Sequence, residues 1–338
     1  MGVEKRIFDC HIARAIAQEI PYSPTREFIE SVQDAIPHLT EVAQNLIDAV
    51  QDEDLIRVFV GLGRFYQGQG LYALAEPWRE RCLKVVRARL GEQHSDVAES
   101  LNDLANLYNS QGRYNEAEPL LLQALELYKR LVGEQNPDVA LSLNNLALLY
   151  YYQGRYIEAE PLSLKAIEID KRFLGEENPD FATNLHNLAL IYCAQERYNE
   201  AETVFLQALK LKQRLLPKDH PLLADTIYAL GKLYRQQGRY SQAEPFCVKA
   251  LELDKRLLGE NHPNVAESLN NLAELYCSQG RYAEAELLYQ EALEILQQVF
   301  EINHPKTVTV RKNLENLRAK ISGNNSWWEK VLGFRQGN

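Results

Sequence analysis

Four histidines, His94, His220, His262 and His304, stand 126, 42 and 42 residues apart, a regularity that first suggests a metal centre. Zinc requires its donors roughly 2 Å from one ion. Spacings that are multiples of 42 residues instead put each histidine on an equivalent turn of a different structural repeat, about 10 Å or more from the next at ordinary helix spacing. Capping or turn roles are therefore expected, and no metal. Cys193 and Cys277 share one repeat position and fail the same test, and none of the five cysteines forms a C-x-x-C pair. The segment GLGRFYQGQG at 61–70 invites a phosphate-loop reading, but no strand precedes it, and Gly61 and Gly63 fall where a helix is expected. No zinc-protease, nucleophile-elbow, Walker or calcium-loop pattern occurs. No catalytic residue and no cofactor is expected.

Composition narrows the remaining classes. Hydrophobic residues are 46% and charged residues 25% of the 338, as in folded globular proteins. A formal charge of -10 argues against broad binding to nucleic-acid phosphates, which needs clustered Lys and Arg. No stretch approaches the roughly 20 apolar residues of a membrane helix, and Asp9, His11 and Arg14 interrupt what would be a signal-peptide core. The unpaired cysteines suit a reducing, cytoplasmic setting.

The elements that position all of these residues come from an internal repeat. QGRYNEAEPL (111–120), QGRYIEAEPL (153–162), QERYNEAETV (195–204), QGRYSQAEPF (237–246) and QGRYAEAELL (279–288) each begin 42 residues after the last, and a weaker copy begins at Gln69. Each unit reads as two helices. In the third, Asn136 caps, Pro137 suits the first helical position, and Asp138 meets the positive helix end. Leu143, Leu146, Ala147 and Tyr150 then follow at helical spacing. Gly154 turns the chain, and a second helix runs from about Ile157 to Phe173. Two columns of small residues, Gly63, Ala105, Ala147, Ala189, Gly231, Ala273 and Ala75, Ala117, Ala159, Ala201, Ala243, Ala285, let the two helices approach closely. The tyrosines Tyr66, Tyr108, Tyr150, Tyr192, Tyr234 and Tyr276 fill the seam between hairpins. The expected fold is all-α: a right-handed superhelical solenoid of antiparallel hairpins.

L-x-x-L-A-x-x-Y, then Q-G-R-Y-x-E-A-E, then A-L, resembles the tetratricopeptide repeat. The 42-residue period with GE-x-(H/N)-P-(D/N)-V-A-x-S-L-N-N-L-A resembles the kinesin light chain type and its bacterial relatives, over residues 49–321. Six repeats and a polar terminal helix at 301–321 make up that span, as stacked arrays require capped ends. Residues 1–48 read as a helical extension out of register. Residues 322–338 read as a hinge, 322–326, and a tail containing Trp327 and Trp328.

The resemblance implies a scaffold or adaptor that holds extended peptide segments of partner proteins in a concave groove, including tryptophan-plus-acidic peptides. First helices line such a groove. The inward residues are then Asn102, Asn106 and Asn109; Asn144, Leu148, Tyr151 and Tyr152; His186, Leu190 and Cys193; Tyr228, Lys232 and Arg235; Asn270 and Glu274. Asparagines offer both donor and acceptor to a ligand's main chain, and tyrosines add rigid apolar area. Asn102, Asn144 and Asn270 are read as ligand contacts, whereas Asn145, Asn187 and Asn271 are read as structural, bonding the adjacent loop. Lys232 and Arg235, with Lys312, would welcome an acidic ligand residue. Glu116, Glu158 and Glu284 read as a solvated face.

Two other assignments stay open. Trp327, Trp328 and Glu329 could dock in the groove or pack on the last helix, and the array with its tail could serve self-association through Trp327 and Trp328. A signalling-peptide sensor would use the same repeats.

Overall fold

The structure, a computed structural model, describes residues 19–21 and 24–333, with side chains as far as residue 322. Every regular element in that span is helical. The chain divides into two compact units, Met1–Thr226 and Ile227–Asn338.

In the first unit, α1 (Arg26–Val32) and α2 (Ile36–Asn45) precede the repeats. Four hairpins follow: α3 (Leu55–Gln67) with α4 (Tyr72–Leu90), α5 (Ser95–Ser110) with α6 (Tyr114–Val132), α7 (Pro137–Tyr152) with α8 (Tyr156–Phe173), and α9 (Pro179–Ala194) with α10 (Tyr198–Leu215). α11 (Pro221–Gln236) contains the boundary between the units. The second unit continues with α12 (Tyr240–Leu258), α13 (Pro263–Ser278) paired with α14 (Tyr282–Val299), and α15 (Pro305–Gly333). α15 carries helical backbone through 322–326, where a hinge is expected from sequence, while the side chains of Trp327 and Trp328 lie outside the described residues.

Local chemistry starts and stops these helices where the sequence places the signals. The Nδ1 of His94, His220, His262 and His304 accepts the backbone N–H two residues on, at 3.2, 3.2, 3.1 and 3.2 Å. Asn136 and Asn178 do the same with their side-chain oxygens. The histidines are helix caps, as expected of that spacing. The alanine columns are fully buried: Ala75, Ala105, Ala117, Ala147, Ala159, Ala189 and Ala201 are each 0% exposed.

One column departs instructively. Gly63 stands where four later repeats have Ala and one has Gly231, and a Cβ there would lie 2.3 Å from Arg79 Nε. The missing methyl makes room for Arg79, buried inside the hairpin and ion-paired with Asp103 of the next one. Helices α1 and α2 close the start of the array. Ile36, Leu39, Val42 and Ala43 are buried, and Arg89 donates to the carbonyls of Ile47 and Val50 at 3.0 and 2.9 Å.

Candidate functional site

Successive hairpins are tied by a polar clamp built from the repeated motif. In four of these turns, at 111–113, 153–155, 195–197 and 279–281, glutamine and arginine reach back to a glutamate on the second helix of the preceding hairpin. Gln153 and Arg155 bond Glu118 at 3.1 and 2.8 Å, Gln195 and Arg197 bond Glu160 at 2.9 and 2.8 Å, and Gln279 and Arg281 bond Glu244 at 3.1 and 2.8 Å. The same arginines lie over the seam tyrosines, Arg155 at 3.7 Å from the ring centre of buried Tyr150 and Arg281 at 3.5 Å from that of half-buried Tyr276. They also pair with Glu158 and Glu284, exposed as expected but held by an arginine one turn back. The clamp glutamates are spent on architecture and are not available to a ligand.

Within the first unit, the first helices of neighbouring hairpins approach one another more closely than the second helices do. Their solvent side is a stripe that recurs in each repeat. Asn106, Leu148 and Leu190 share one position on α5, α7 and α9, and all are half-buried. Asn109, Tyr151 and Cys193 share the next and are also half-buried, while Tyr152 is 47% exposed. In the second unit Tyr228, Lys232 and Arg235 are half-buried.

Four residues expected on this face lie between hairpins instead. Asn102 is 3% exposed and donates to Ser142 Oγ at 2.9 Å. Asn144 is 5% exposed and accepts from Asn187 Nδ2 at 3.1 Å. His186 is buried against the Thr226 hydroxyl at 3.2 Å and the Phe205 ring at 5.4 Å. Asn270 is half-buried, accepting from Asn313 at 3.0 Å and donating to Glu274 at 3.0 Å. The physical reason is an amide ladder: where adjacent first helices come close, buried amides must bond one another rather than wait for a ligand. Asn187 and Asn271 of the second asparagine column are bonded within the fold as expected, though their partners sit on neighbouring helices rather than loops, while Asn145 Nδ2 is buried without a partner. Asn187 bonds Asn144, and Asn271 donates to Cys247 Sγ at 3.4 Å. Arg235, expected to be open to acidic ligands, is ion-paired with Glu274 and bonded to Asn271.

The stripe has members that the sequence reading passed over. One turn before the Asn102 column stand Glu99, Leu141 and Thr183, with Leu141 51% exposed. Helical spacing from 106 back through 103 to 99 would have found them. The rings of Tyr114 and Tyr156, within the repeated QGRY blocks, also join the face. Tyr114 stacks parallel to Tyr152 at 6.1 Å, and Tyr151 meets Tyr152 at 5.3 Å and Tyr156 at 5.9 Å.

Electrostatics add two buried features. Burial, then the charges of Asp103 and Asp96, push the Glu99 carboxyl up to about 7. Lys212 is fully buried, donating to the Leu222 carbonyl at 3.2 Å and to Thr226 Oγ1 at 3.0 Å, and burial lowers its pKa to about 8. Thr226, His186 and Lys212 thus form a row that looks like nucleophile and base, yet each is at most 9% exposed, so no substrate reaches them. Burial holds the thiols of Cys82 and Cys247 up at about 12, far from a reactive thiolate. No group of three or more potential metal-ligating side chains occurs among the described residues, and no described helix is long and apolar enough to cross a membrane.

The tetratricopeptide repeat model matches residues 54–130, 96–172, 138–214, 180–246, 226–298 and 269–322, an unbroken run over most of the length. The chain belongs to the tetratricopeptide repeat family. No curated protein matches it. Among solved structures, BtubC (BKLC) from P. vanneervenii is 26% identical with a TM-score of 0.50, over 68% of this chain and 90% of that one. A putative kinesin light chain of Podosopora anserina with nearly identical TPR-like repeats is 25% identical with a TM-score of 0.46, over 61% of this chain and 97% of its own. A Rap protein complexed with Competence and Sporulation Factor is 16% identical with a TM-score of 0.62, over 96% of this chain and 89% of that one. Kinesin-light-chain-like repeat proteins are thus among the structural neighbours of this tetratricopeptide array, and its hairpins pack consecutively as that fold requires.

Proposed function

We propose that this tetratricopeptide chain is a scaffold that holds extended peptide segments of partner proteins along the first-helix face, with no chemistry of its own. The observation that carries this reading is the half-exposed stripe of Asn106, Asn109, Leu148, Tyr151, Tyr152 and Leu190 on the side where hairpins approach most closely. A stack whose first helices crowd together curves toward them, which gives an extended ligand a trough lined by repeating positions. Half-buried amides and aromatic rings there supply orienting hydrogen bonds and apolar area, the mixture that peptide pockets use. The family supports the reading as well, since tetratricopeptide arrays are interaction modules, and the Rap structure named above holds a factor. Tyr228 and Lys232, half-buried on α11, are proposed as ligand contacts of the second unit by itself.

The test is retention of a randomised dodecapeptide pool on immobilised protein. The wild-type chain should retain peptides above the bead background, and Leu148→Ala/Leu190→Ala should reduce retention by about tenfold, the equivalent of about 1.4 kcal/mol, with helicity unchanged. Equal retention by the double variant would remove the first-helix face from the account.

A further inference from the structure

The third hairpin breaks the pattern of its neighbours at one patch. Position 151 is tyrosine where the other repeats have Asn109, Cys193, Arg235 and Cys277, and position 152 is tyrosine where they have Ser110, Ala194, Gln236 and Ser278. Both additions add aromatic surface on the solvent side, and Tyr152 stays 47% exposed. With Tyr114 and Tyr156 they make a four-ring shelf at the seam between the second and third hairpins, ring centres 5.3 to 6.1 Å apart. At that same seam, in the repeat position equivalent to Tyr151, Asn109 turns a buried side-chain oxygen that has no hydrogen-bond donor. An orphaned acceptor beside electron-rich rings is complementary to a cation that carries N–H groups.

Charge along the helices points the same way. The sequences of α5, α7 and α9 contain Asp96, Glu99, Asp103, Asp138 and Asp180 and not one lysine or arginine. Of these carboxylates Asp103 is matched by Arg79. Burial first, and then the charges of Asp103 and Asp96, hold the Glu99 carboxyl up, against the weaker pull of Arg64 and Arg79. The arginines of the first unit that flank these helices are held in the turn clamps. A face of this kind attracts positive ligands and repels negative ones over several ångströms.

We propose that the tyrosine shelf of the first unit takes an arginine side chain of a basic peptide, the guanidinium stacking on Tyr152 and donating to Asn109 Oδ1. Guanidinium suits this site better than ammonium, because its flat face stacks on rings while its edge still donates. The inference rests on the peptide-scaffold reading and names the charge of the ligand that reading leaves open. It runs against the acidic ligand that the resemblance implies, for which the first unit's first helices of the second to fourth hairpins supply no cation.

The experiment sequences the dodecapeptides that the full chain retains from the randomised pool. Arginine should be enriched about threefold over the input and Asp plus Glu depleted, a bias of under 1 kcal/mol per contact. Tyr151→Ala/Tyr152→Ala should erase the arginine bias while retained peptides still depend on Leu148 and Leu190. Should the double variant lose helicity, Tyr152→Ser alone, at an exposed position, carries the test. A retained pool with no charge bias, or one enriched in acidic residues, overturns the arginine assignment and leaves the scaffold standing. No retained peptides at all overturns both.

Discussion

Asp103→Ala should destabilise the first unit by about 3 kcal/mol, because it strands the Arg79 guanidinium inside a hairpin. Later repeats solve the same position without charge, with Leu121 where Arg79 stands, Asn145 for Asp103 and Ala105 for Gly63. The combined change Gly63→Ala/Arg79→Leu/Asp103→Asn should therefore be neutral or stabilising in urea unfolding, since replacing a buried pair by packing is tolerated while halving it is not. A triple variant as unstable as Asp103→Ala would show that the pair does more than fill space. Lys212 yields a pH dependence. Its folded pKa is about 8 against an ordinary value of 10.5, so between those limits the unfolded chain holds a proton that the folded chain has shed. Stability conferred by this site must then rise with pH across that window, by on the order of 3 kcal/mol in all. Lys212→Met should remove the rise, seen as the difference in urea midpoint between variant and wild type at pH 7 and pH 10. Glu196 is a simpler case: it adopts φ 61 at the turn position that Gly112, Gly154, Gly238 and Gly280 fill in other repeats. Glu196→Gly should stabilise the fourth hairpin by about 1 kcal/mol.

At the scale of the helix pair, the small columns are the constraint that the sequence announced most clearly. Ala147 faces α8 with no exposed surface, so Ala147→Leu should cost about 2 kcal/mol by overpacking. Hydrogen exchange should quicken in α7 and α8 before the hairpins further away. Element boundaries were legible because each first helix from the second hairpin on starts with Asn or His followed by Pro or Ser, and each hairpin turn carries glycine or its stand-in. The binding face was only half legible. Asn102 and Asn106 look alike in the sequence, one turn apart on the same helix, yet the first is sealed and the second half-open. What separates them is the distance to the next first helix, a tertiary quantity: Asn144 is buried because Asn187, 43 residues on, bonds it. The glutamate of the clamp was illegible for a similar reason, since its partners lie 35 and 37 residues ahead on a different hairpin.

For the whole molecule, the period settles what the units are made of, and the departures from the period mark where it is individual. Arg79, Lys212 and the Tyr151–Tyr152 pair each differ from the residues at the same positions of the other repeats; the first two turn inward and the third outward. The inward departures are bonded inside the fold, whereas the outward tyrosines pack on other rings and leave Tyr152 47% exposed. That asymmetry supports the proposal that the first-helix face of the first unit holds the ligand. Leu164 supplies the control, an apolar side chain 44% exposed on α8, a second helix. The direct measurement is photo-crosslinking of the randomised dodecapeptide pool to benzoylphenylalanine placed at 148 or at 164. Adducts from position 148 and none from 164 are the predicted result. Adducts from 164 with none from 148 would contradict it.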